Sequence, residues 1–175
     1  MMKEIHNATS ASGLPEILKH ARAVIVCGIS GSGKTRLAHA LELTGAKRIS
    51  ADVLAWQRHR GDFSSLPRDR QQRLFADVRE DIDLMAGRLL DEGVRIVIDA
   101  TNCKRQRRDR LRQVCREHGV EPLLVYLPAT FATLHERLSS RCGSGPDDIV
   151  IPDSDLHGFC SGFEPPAADE PHITL

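Results

Sequence analysis

The sequence predicts an α/β fold: a parallel sheet of four or five strands, helices on both faces, and a lid. Two observations carry this expectation. Short apolar runs recur at "AVIVC" (23–27), "AKRIS" (46–50), "RIVI" (95–98) and "EPLLVYL" (121–127). Between them lie segments whose apolar residues are spaced by three and four, the mark of amphipathic helices. Strands alternating with helices build parallel βαβ units, and near-continuous apolar strands suit a sheet covered on both faces.

Taken in order, residues 1–20 suggest a short leading helix around "LPEILKHA", and residues 23–27 the first strand. A helix from Gly33 to about Leu43 follows a glycine-rich turn, and 46–50 forms the second strand. Residues 68–92 carry Leu74, Phe75, Val78, Ile82, Met85 and Leu89 on one face and stop at Gly93. The third strand, 95–98, leads to a helix over 104–118 with Leu111, Val114 and Cys115 on its stripe and Gly119 at its end. After the fourth strand, 121–127, a helix over 130–141 places Leu134 and Leu138 together. The glycine-rich "CGSGPDD" after it suits the hinge of a lid spanning about 137–152. One domain is expected over 1–163, with 164–175, acidic and rich in Pro, as an extended tail.

Composition sets bounds. The 175 residues suit one domain, and 41% hydrophobic with 27% charged residues is ordinary for a globular chain. No run approaches the roughly 20 apolar residues of a membrane span, and the start, "MMKEIHNATSASG", lacks the apolar centre of a secretory leader. Five scattered cysteines, an odd number, read as reduced thiols in a cytoplasm. Cys115-x-x-His118 and His157-x-x-Cys160 have zinc-like spacing, but nothing in the sequence brings the two pairs together. Net charge is zero, yet residues 1–141 hold all 24 Lys and Arg against 17 Asp and Glu, whereas 142–175 hold seven acids and no Lys or Arg. A basic body attracts phosphate-rich ligands, and the acidic end either folds back on it or stays solvated.

Chemistry concentrates in a few places. "GISGSGKT" (28–35) follows the first strand and opens a helix, and it fits G-x-x-x-x-G-K-[ST]. In a P-loop NTPase fold, Gly28, Ser30, Gly31, Ser32, Gly33, Lys34 and Thr35 would cradle phosphates with backbone N–H groups and the helix's positive end. Lys34 would reach the β- and γ-phosphates and Thr35 would ligate Mg²⁺. Asp99 ends the third strand in "RIVIDAT", where a carboxylate can hold Mg²⁺ or cap the next helix. Ala100 follows it, where motor ATPases place a water-activating Glu, and no Asn-Lys-x-Asp guanine motif is present. Both features argue against a motor or a GTPase switch.

Asp52, in "RISADVL", stands 18 residues beyond Lys34. One helix, one turn and one strand return it to the edge that holds the phosphate loop. It is either a general base for an attacking hydroxyl or the cap of the helix "VLAWQRHR". Arg137 and Arg141, four apart, share a helix face before the lid and would neutralise charge over a triphosphate, unless that face is simply solvated. In "KRQRRDRLRQVCR" most cations read as a solvated face. Arg107 falls on the apolar stripe near Asp99, so Arg107, with Arg108 beside it, is a candidate phosphate contact.

With these residues assembled, the chain resembles the P-loop kinase family typified by the kinase domain of polynucleotide 5′-hydroxyl kinases. The matching pieces are "GISGSGKT", "ISAD", "VIDATNCKRQRR", "HERLSSR" with its lid, and "FEPP", spread over residues 23–166. The resemblance implies ATP as donor, Asp52 as base, Arg137 and Arg141 as lid arginines, and adenine near Val150, Ile151 and Pro152. Ala55 stands where that family tends to carry an arginine gripping the acceptor, with Arg58 and Arg60 nearby. The expectation is therefore a Mg²⁺-dependent ATP kinase acting on a hydroxyl, with a polynucleotide 5′ end, of DNA or RNA, as leading acceptor. A small-molecule kinase for a nucleoside, sugar or sugar acid is the alternative, and a nucleotide-binding regulatory module with little turnover the third.

Overall fold

The computed structural model describes residues 13–175, so the part of the leading segment before residue 13 lies outside the described residues. Five parallel strands form one sheet in the order β2-β3-β1-β4-β5. They are β1 (Ala23–Cys27), β2 (Lys47–Ser50), β3 (Ile96–Asp99), β4 (Leu123–Tyr126) and β5 (Ile173–Thr174). The helices are α1 (Glu16–His20), α2 (Lys34–Glu42), α3 (Ala51–His59), α4 (Arg68–Asp91), α5 (Arg105–Glu117), α6 (Phe131–Ser139) and α7 (Asp153–Gly162). A 3₁₀ turn, Pro146–Asp148, sits inside the lid segment.

Every residue of β1 and β3 is buried, because both faces of the sheet are covered. Alternate β1 residues supply the two cores. Ala23, Ile25 and Cys27 face α3, α4 and α5 through Ala55, Val78, Ile82 and Leu111. Val24 and Val26 face α1 and α2 through Leu18, Leu37 and Leu41. A smaller cluster of Leu134, Leu138 and Leu156 joins α6 to α7, with Ile29 of the glycine-rich turn and Ile151 against it. Among the described residues, no helix is long and apolar enough to cross a membrane.

The chain end departs from expectation. Residues 164–175 are not an extended tail. They return along α5 and add β5 beside β4, with Val125 opposite Ile173. The physical reason is charge pairing. Glu170 is buried and takes both Arg108 (2.7 and 2.8 Å) and Arg112 (2.8 Å). Glu164 accepts from the Arg105 backbone N–H at 3.0 Å, satisfying a free donor in the first turn of α5. Asp169 pairs with Arg105. The acidic end thus folds onto the basic run that precedes it.

Candidate active site

All strands point their C-terminal ends to one edge, where ligands of open α/β sheets bind. The turn from β1 to α2 lies there at the centre of the sheet. Its glycines are constrained by close approach and by backbone. A Cβ on Gly28 would lie 2.5 Å from the Ser32 hydroxyl oxygen and 2.8 Å from the Leu127 carbonyl oxygen, so no larger residue fits. Gly31 and Gly33 hold φ of +87° and +104°, the left-handed region that other residues avoid. A Cβ at Gly33 would meet nothing within 4 Å, so there the backbone conformation alone demands glycine.

Lys34 is buried at the start of α2, and its Nζ donates to the Ile29 carbonyl at 2.9 Å, across the loop. Burial pushes its pKa below the usual lysine value, opposed by the charges of Asp99 and Asp52. The Ser32 hydroxyl is buried with no partner among the described residues. A buried hydroxyl without a partner in this loop calls for a ligand or water oxygen, and the start of α2 offers a phosphate its positive end. Thr35, in the first turn of α2, and Asp99, buried at the end of β3, are hard oxygen donors of the kind Mg²⁺ takes. These residues fit a magnesium-bound nucleotide phosphate.

Asp52 lies in the first turn of α3, and it is not that helix's cap. Ser50 is the cap, its hydroxyl accepting from the Val53 N–H at 3.3 Å. The Asp52 carboxylate is thus left for other work. Burial pushes its pKa up from 3.8 to about 6, while Lys34 and Arg141 pull it down and Asp99 adds to the rise. Lys34, Asp52, Asp99 and Arg141 therefore share one electrostatic neighbourhood. Arg141 donates to the Ile149 carbonyl at 3.1 Å, inside the lid. Arg137 donates to the Gly31 carbonyl at 3.0 Å, so both lid arginines stand beside the phosphate loop or its lysine. Ile151, half-buried, packs in the cluster under them.

Two expected site residues stand elsewhere. Arg107 pairs with Asp83 of α4 at 2.7 Å and does not reach the phosphate loop. Arg108 is fully buried, its guanidinium held by Glu170 and by the carbonyls of Asn102 and Glu164. Neither is free to meet a phosphate, because the returning chain end and α4 supply their anions. The "DATN" turn explains Arg108's place. Asn102 takes a φ of +46°, and its amide donates to the Val26 carbonyl at 2.7 Å, which aims its own carbonyl at Arg108.

Arg48 of β2 escaped notice in the sequence. Its side chain is 7% exposed and contacts Asp99 at 2.7 Å and Asp147 of the lid. The available signal was an arginine inside a strand expected to be buried on both faces, which demands a partner. The zinc-like pairs do not form a centre. Cys115 is core, His118 pairs with Asp91 at 2.6 Å, and His157 stacks on Phe131.

The family model for the AAA domain matches residues 24–166. Among solved structures, a sugar kinase from Janibacter sp. HTCC2649 is 26% identical, with a TM-score of 0.66, covering 89% of this chain and 84% of that one. A gluconokinase from Sinorhizobium meliloti 1021 is 23% identical, with a TM-score of 0.60 over 87% of this chain and 81% of that one. Kti12 from Chaetomium thermophilum, solved with ADP-AlF3, is 16% identical with a TM-score of 0.63, over 87% of this chain and 88% of that one. No curated protein matches the sequence. The strand order, the phosphate loop and the family match together place this chain in the AAA-domain family, with a P-loop NTPase fold.

Proposed function

We propose that the protein is an ATP-dependent kinase that phosphorylates a hydroxyl of a small-molecule acceptor. The observation that carries this reading is the uncapped Asp52 carboxylate in one neighbourhood with Lys34, Asp99 and Arg141. A nucleotide-binding module with little turnover has no use for a carboxylate there. Asp52 would accept the proton of the acceptor hydroxyl as its oxygen attacks the γ-phosphorus. The new O–P bond forms while the bond to the β,γ-bridging oxygen breaks, and ADP leaves with that electron pair. Lys34 and Arg141 would stabilise charge on the transferring group. Thr35 and Asp99 would hold Mg²⁺, which when bound neutralises β- and γ-oxygen charge.

The choice of a small acceptor over a polynucleotide 5′ end rests on ion pairing. Arg58, Arg107 and Arg108, the cations nearest to hand for a nucleic-acid backbone, are engaged by Asp81, Asp83 and Glu170. The sugar kinase and gluconokinase among the structural neighbours accord with a small acceptor. Transfer from labelled ATP to a panel of sugars, sugar acids, nucleosides and 5′-hydroxyl oligonucleotides tests the reading. Transfer to a small molecule is expected, and Lys34→Ala should abolish it. Transfer that survives in Lys34→Ala, or none with any hydroxyl, would remove the proposal.

A further inference from the structure

Arg48 joins four parts of the molecule through one planar guanidinium. Nε and one terminal nitrogen reach Asp99 at 2.8 and 2.7 Å, both on Oδ2. Nη1 donates to Oδ2 of Asp147 at 3.0 Å, and Nη2 donates to its Oδ1. Nη2 also reaches the Ser50 hydroxyl at 3.2 Å, the oxygen that caps the helix bearing Asp52. His39 of α2 flanks the same carboxylate, its Nε2 3.3 Å from Asp147 Oδ2.

The two ion pairs differ in character. Arg48 and Asp99 are 7% and 4% exposed, so each neutralises the other permanently within the sheet edge. Asp147 is 38% exposed and sits on a segment outside the sheet. If Asp147 departs, Arg48 keeps Asp99 and no buried charge is left unpaired, so detachment has only a modest cost. The segment is also tied to itself. Asp148 accepts from the backbone N–H groups of Cys142 and Ser144 and from the Ser144 hydroxyl at 2.8 Å, closing the loop on itself.

We infer that Arg48 is a positioning residue that docks the lid: Asp147 closes onto its outer edge while its inner edge fixes Asp99 through Oδ2 alone, leaving Oδ1 free of the arginine. Docking therefore sets the lid, which carries the carbonyl that holds Arg141, against the carboxylate that would face Mg²⁺ and the cap of the Asp52 helix. A lysine cannot do this, because a point charge lacks the fork that serves two carboxylates at once. The consequence for transfer rests on the kinase reading; the docking itself does not.

The experiment is hydrogen exchange on the nucleotide-free protein, parent against Asp147→Asn, a partly exposed site at which the fold should survive. Amides of residues 142–148 should exchange roughly tenfold faster while the α4 core, residues 78–90, stays unchanged. Unchanged lid exchange would overturn the inference. Arg48→Lys should give a similar acceleration, and the double variant should add little to it, since both changes cut one link; full additivity would overturn the inference as well. In transfer assays Asp147→Asn should lower kcat severalfold with thermal stability retained. Absence of transfer in the parent would sink the kinase reading and leave the exchange data to decide the docking.

Discussion

At the residue scale, Asp52 has two properties that one substitution can separate. Its carboxyl, raised by burial from 3.8 to about 6, binds a proton in the folded state that the unfolded chain has already released. Stability contributed by that proton is present below about pH 4 and is lost as pH rises through 6. Above that, the folded state carries a buried charge that is incompletely offset by Lys34 and Arg141. Asp52→Asn removes this penalty. The nucleotide-free variant should be more stable than the parent at pH 7–8, by about 1–3 kcal/mol, with the gain vanishing near pH 4. Thermal melts across that range measure it. The same variant should lose transfer by ~10²-fold or more, because an amide cannot accept the proton. Parent activity should rise with pH through about 6 and then level as the base form fills. A variant less stable at pH 8 yet fully active would make Asp52 a structural residue. The opposite signs of the stability and activity effects identify a functional group held against folding preference.

At the scale of elements, α5 and the chain end depend on each other. Hydrogen bonds from Arg108 and Arg112 hold the Glu170 carboxyl down to about 2, overriding the opposing effect of burial. This contribution is present above the ordinary glutamate value and fades as pH falls toward 2. Glu170→Ala would strand Arg108 inside the protein without its anion. Breaking a buried pair from one side costs about 3–5 kcal/mol, so urea unfolding should shift by that much. Proteolysis should then reach residues 164–175, where β5 would no longer dock. An unfolding free energy within about 0.5 kcal/mol of the parent would show that the clasp is not structural. This clasp also marks the limit of what the sequence could tell. The strands β1 to β4 and helices α2, α4, α5 and α6 were legible because each carries its own apolar period. The phosphate loop and Asp52 were legible because fixed spacing along one βαβ unit returns them to the same edge. Arg107 and Arg108 were misread because their partners, Asp83 and Glu170, lie 24 and 62 residues away in the chain. Arg48 was missed for the same reason, its lid partner standing 99 residues on. The helix α7 was missed because its ten residues, "DSDLHGFCSG", include two glycines and bury only Leu156.

At the scale of the whole molecule, the division of charge along the chain does not survive folding. The basic body and four of the seven acids of the last 34 residues are brought together, and the net charge is zero with a pI near 7.1. Asp147, Glu164, Asp169 and Glu170 sit on Arg48, Lys104, Arg105 and Arg108. A polyanion approaching the face of α5 and the chain end meets ion pairs, not a cationic stripe, and attraction to that face is correspondingly weak. Of Arg58, Arg60, Arg107 and Arg108, only Arg60 has no ion pair among the described residues. A single-stranded 5′-hydroxyl oligonucleotide bound through these four positions should therefore release counterions at about one phosphate. The expected slope of log K against log salt is about −0.7 or shallower, since each neutralised phosphate on a single strand contributes about −0.7. Three or four contacts would give roughly −2 to −3. Fluorescence anisotropy of a labelled oligonucleotide over a salt series, from low to physiological ionic strength, measures the slope directly. A slope of −2 or steeper, with transfer to the same oligonucleotide, would mean that the ion pairs open to admit nucleic acid. The acceptor would then be a polynucleotide end, and the small-molecule assignment would fall while the phosphoryl-transfer site remained.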